Sequence, residues 1–104
     1  MSTASVVSEE ADRERRAEAL VADAGPGWAD GYRPGTPGCH ELLDRASLLS
    51  DMAERYLLEH PACVAHPSWY ALAERAAAAL RELYQQVGAE HLDAEPGSPG
   101  ERGT

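Results

Sequence analysis

Residues 37–60 read PGCHELLDRASLLSDMAERYLLEH, and residues 67–92 read PSWYALAERAAAALRELYQQVGAEHL. In the first stretch Leu42, Ala46, Leu49, Ala53 and Tyr56 recur at steps of four and three, the spacing of one stripe on an α-helix. Leu43, Met52 and Leu57 widen that stripe. In the second stretch Trp69, Ala73, Ala76, Leu80, Leu83 and Val87 step in the same way, flanked by Leu72 and Ala79. Start and stop signals bracket both. Thr36 offers a side-chain oxygen to the first turn of a helix that opens with Pro37, whose missing N–H costs nothing there. Pro61 ends the first helix, because the residue before a proline avoids helical angles. His66 serves as a cap for a second helix opening at Pro67. Glu41–Arg45 and Asp51–Arg55 are acid-first pairs one turn apart, which support the first helix slightly.

Two helices of about 24 and 26 residues, roughly 36–39 Å long, joined by a short connection, are expected to lie antiparallel. The fold class is therefore all-α, with a helical hairpin over residues 37–92 as its main element. A hairpin of this size buries too little apolar surface to be comfortably stable alone. Leu48, Leu58, Tyr70, Ala77 and Tyr84 fall off the two stripes. Something is expected to cover them, and a homodimer forming a four-helix bundle is the favoured arrangement. A monomeric three-helix form and a complex with another protein are the rivals.

Outward from the hairpin the signals weaken. Residues 25–36 are rich in Gly and Pro and read as a linker, with Trp28 and Tyr32 inside it. Residues 8–24 read as a weaker helix, capped by Ser8 and stopped by Gly25. Its surface is mostly charge, with few apolar residues such as Leu20 and Val21. Residues 1–7 and the tail 93–104 lack the apolar content to pack and are expected to be disordered.

The chain has 104 residues, enough for one domain, and a formal net charge of −9. All nine basic side chains are Arg, and no segment offers a basic face. Binding to a nucleic-acid backbone is not expected, and anionic lipid would be repelled too. No secretory pattern opens the sequence, no stretch approaches the roughly 20 apolar residues of a membrane span, and two cysteines make no disulfide framework. A cytoplasmic protein without membrane association is the expectation.

Few residues carry chemistry. His60, Cys63 and His66 stand at steps of three across the connection. An antiparallel hairpin would bring Cys39 and His40 to the same end as His91, so each end would hold one Cys and two His. Thiolate and imidazole are zinc ligands, but three donors are one short of a closed structural site and the spacing matches no zinc signature. No catalytic triad, phosphate loop or nucleotide fingerprint is present. The expected function is thus non-enzymatic: a small acidic helical module, an accessory or regulatory subunit that binds another protein through Leu48, Tyr56, Leu58, Trp69, Tyr70 and Tyr84. The alternatives are an acidic antagonist of a basic partner, antitoxin-like or inhibitory, and a metal-binding protein or enzyme using the Cys/His ends.

Overall fold

The structure is a computed structural model; it describes the backbone of residues 3–94 and the side chains of residues 8–94. The described residues are helical and contain no strand, which makes the fold all-α. They divide into two compact units between Tyr32 and Arg33.

The first unit holds α1 (Thr3–Ala24) and a 3-10 turn (Trp28–Tyr32). The helix begins five residues before the expected Ser8 cap, so residues 3–7 are helical rather than disordered. It stops where expected. Gly25 takes a positive φ of 91° and its N–H returns to the Val21 carbonyl at 2.8 Å, the left-handed cap that glycine adopts without strain. The charged surface of α1 is stitched by local pairs. Arg13 Nε donates to Glu10 Oε1 at 3.0 Å, and Asp12 accepts from Arg15 at 2.8 Å and Arg16 at 3.2 Å. These contacts hold the Glu10 and Asp12 carboxyls below their ordinary range, through hydrogen bonding first and charge second. The expected linker is not featureless, since Trp28 to Tyr32 wind into the 3-10 turn and Trp28 is half-buried.

The second unit runs α2 (Pro37–Met52), a π turn (Ala53–Leu58), α3 (Pro61–Val64) and α4 (Pro67–Ala94). Thr36 caps α2 as its sequence suggests, its hydroxyl oxygen accepting the Cys39 N–H at 3.2 Å. Glu41 and Arg45 pair at 3.2 Å. The start of α2 lies against the end of α4, where the His40 and His91 rings are 5.4 Å apart. The π turn lies against the first half of α4, where Ala53, Leu58 and Ala77 form the core with Ala73 and Leu80 packed on it. These contacts set the two long helices antiparallel. The tail beyond Ala94 lies outside the described residues.

The buried line on the first helix is Cys39, Leu43, Ala46, Ala53 and Leu58, with Ser50 half-buried. It steps four, three, four and three, then five. The last step is the π turn, whose wider i→i+5 winding adds a residue to the turn. In an unbroken α-helix Leu57 would follow Ala53 on the inner line. The extra residue sends Leu57 outward and turns Leu58 in, leaving them 48% and 5% exposed. Leu58 was expected on the partner-binding surface; it is core instead.

Candidate functional site

The inner line of α4 is equally displaced from expectation. Ala77 and Gly88 are buried one residue on from Ala76 and Val87 of the apolar stripe, and His91 is buried beyond the stripe's end. Ala77 has no exposed surface at all. The helices therefore meet mainly on small side chains. At Gly88 the chains come close enough that an added Cβ would stand 3.4 Å from Leu43 Cδ1. Small residues at the contact let the backbones approach, and close approach leaves room inside for few large side chains, Leu43 and Leu58 among them, with Leu80 packed at the edge.

Those leucines form an outer face. From α2 and the π turn come Leu42, Leu49, Met52, Tyr56 and Leu57; from α4 come Trp69, Leu72 and Leu83. All eight are 41–61% exposed. They belong to one side of the helix pair. Leu49, Met52, Tyr56 and Leu57 line a groove with Leu80, and Leu42 lines a second groove with Leu83 and Val87, bordered by Gln86 and Glu90. Trp69 and Leu72 sit on the same side of α4 by helical spacing from Leu80 and Leu83. Scattered exposed apolar residues are ordinary on a protein surface, whereas apolar residues gathered on one side are a feature that protein interfaces, ligand grooves and membrane-contact sites share.

The opposite side of the pair is polar. Ser47, Ser50 and Asp51 face Arg81, Tyr84 and Gln85 across a shallow cleft. Arg81 spans the helices, reaching Glu74 at 2.9 Å and Glu54 at 3.5 Å. The structure thus divides the residues expected to bind a partner. Tyr56 and Trp69 lie on the apolar face, Tyr84 borders the polar cleft, and Leu58 is inside. Leu48 and Tyr70 are exposed, at 60% and 39%, but line neither groove. Leu42, Leu49, Leu72 and Leu83 were missed as surface residues because a periodic stripe was taken for the inner seam.

The histidines occupy structural positions. His60 Nδ1 accepts the Ala62 N–H at 3.0 Å and so caps α3. His66 Nδ1 stands 2.7 Å from the Ala62 carbonyl, and its ring stacks on Trp69 with centroids 3.7 Å apart. His91 is 2% exposed, and its Nδ1 accepts the Gly35 N–H at 2.8 Å. Gly35 has a φ of 91°, and a Cβ there would meet the Ala94 carbonyl oxygen at 2.9 Å, so both conformation and space demand glycine. His91 and Gly35 fasten the end of α4 to the chain entering α2. His40 Nε2 stands 3.6 Å from Asp44. Cys39 is buried and Cys63 half-buried, both as free thiols. Among the described residues no three His, Cys, Asp or Glu side chains are grouped to hold a metal ion, so neither expected cluster, His60–Cys63–His66 or Cys39–His40–His91, is assembled. Among the same residues no helix is long and apolar enough to cross a membrane.

Compared with family models, curated proteins and solved structures, the chain matches none.

Proposed function

We propose that this chain is a non-enzymatic helical interaction module, an accessory or regulatory subunit whose α2–α4 hairpin is completed on its outer face by helices from another chain, in a four-helix arrangement. The observation that carries the proposal is the sorting of side chains: small residues fill the contact within the chain, and the large apolar ones line one side of it. Burying such a side chain fully is worth about 1.5–3 kcal/mol, and aromatic anchors such as Tyr56 and Trp69 are the residue types that dominate interface energies.

The test compares affinity capture by the native chain and by a Leu49→Glu/Leu72→Glu variant. Both positions are about half exposed, so the charges leave the fold in place while disabling the face. Proteins that bind through the face are retained by the native chain and lost with the variant, and their binding does not weaken as salt rises. Equal retention by both would refute the proposal. The rival, an acidic antagonist of a basic partner, rests on the net charge of −9, and its signature is binding that weakens steeply as salt rises.

A further inference from the structure

We infer that the occupant of the outer face is a second copy of this chain, an inference that rests on the interaction reading above and names its partner. Three observations select the copy. The first is area. A fully buried aliphatic side chain corresponds to about 60–120 Å² and an aromatic one to about 150–250 Å². The half-exposed side chains of the face then offer on the order of 300–600 Å² of apolar surface. A standard interface takes about 800 Å² from each partner, of which about 65% is apolar in homodimers, or roughly 500 Å². One face against an identical face meets that requirement.

The second observation is that α1 is not composed as the complement of such a face. On α1 the apolar side chains larger than alanine are Leu20 and Val21, with Val6 and Val7 added by the sequence. Four aliphatics do not match eight larger groups. Six acids and three arginines between Glu9 and Asp23 would have to be kept clear of the apolar groove.

The third is charge. Each copy carries −9, so two copies repel everywhere except across uncharged surface. The groove from Leu49 to Leu57 contains no acid or arginine in its lining. A two-fold pair of such faces is self-complementary by construction. It brings four helices together while leaving the Arg81 cleft of each copy in solvent.

The experiment is sedimentation equilibrium of the full chain from micromolar to submillimolar concentration, at low and high salt, with a hydrophobic fluorescent dye titrated in parallel. The expected result is a species of twice 11.2 kDa whose association tightens as salt screens the repulsion. Leu49→Glu/Leu72→Glu should weaken self-association at least about tenfold. Gln85→Glu, on the polar side, should leave it unchanged, and far-UV circular dichroism confirms that both variants remain helical. A native chain that stays monomeric at every concentration but binds dye, with the dye lost in the double variant, overturns the second copy and leaves the face open to another protein. A monomer that binds no dye overturns both the copy and the interaction reading. A dimer that survives the double variant overturns this face as its site.

Discussion

Along the inside of the α2–α4 pair the side chains are Cys39, Ala46, Ala53, Ala77 and Gly88, relieved by Leu43 at one end and Leu58 at the other. Along the outside they are leucine, methionine, tyrosine and tryptophan. In a self-sufficient small domain the large groups would be within. The inversion teaches that the contact inside the chain is tuned for closeness, and that the large apolar side chains lie along the outside of the pair, the placement on which the proposed interaction rests. The two regions should therefore answer mutation differently.

The largest difference is expected on adding bulk. Ala77→Leu forces about three more heavy atoms into a site with no exposed surface and should destabilise the chain by about 3 kcal/mol. At dilute concentration Leu72→Ala, at 61% exposure, should change stability by less than about 0.5 kcal/mol. Urea unfolding followed by circular dichroism compares them directly, and similar midpoints would erase the distinction between the two regions. Next comes the polar end of the inner line. His91→Ala leaves the Gly35 N–H without its acceptor and should cost about 2 kcal/mol. The loss should appear as accelerated amide exchange at Gly35 and at the end of α4, with the Ala53–Ala77 end unaffected. A smaller effect has the opposite sign. Gly88→Ala places a methyl at ordinary contact from Leu43 and removes a flexible residue from mid-helix, so it should raise stability by about 0.5–1 kcal/mol. A fall in the melting temperature would show that even one methyl is too much at this crossing.

The smallest effect lies in α1, whose surface carries exposed charge pairs. Its Glu10 and Asp12 carboxyls are held below their ordinary values of 4.5 and 3.8. A depressed carboxyl stabilises the folded form above its unfolded-state value, and that contribution is lost as pH falls through the folded one. Backbone chemical shifts of residues 10–16 should therefore drift toward coil below those values, and added salt should blunt the change. Shifts that hold steady through acid would mean that the arginine contacts do not support the helix.

The three long helices, their prolines, the Thr36 cap and the Gly25 stop were legible in the sequence, because local chemistry decides them, while the first turns of α1, the 3-10 turn, the π turn and α3 were not. What periodicity could not convey is which apolar stripe faces the partner helix. Leu42 and Leu43, Leu49 and Ser50, and Ala76 and Ala77 are neighbours about 100° apart on a helix, and choosing between them requires the interhelical distance. That distance is set by residues such as Gly88, which a hydrophobicity pattern discards as weak. The histidines misled for a related reason. Their spacing suggested ligands, while the hydrogen bonds that occupy His60 and His91 go to backbone groups, and those carry no sequence signature.

The π turn at Ala53–Leu58 gives the chain an unusual tolerance of a change in length. It holds one residue more than an α-helical turn would, and that surplus is what exchanges Leu57 for Leu58 on the inside. Removing a single codon between Ala53 and Leu57 would let the helix close into ordinary winding with Leu58 four positions after Ala53, so Leu58 would stay inside. A three-base slip in the gene would thus be absorbed there, with the inner line and the end of the hairpin kept in register. An insertion of the same size in the straight part of α2 would need a second wide turn to do as much. The place where this protein can most readily lose a residue is therefore already marked in its backbone.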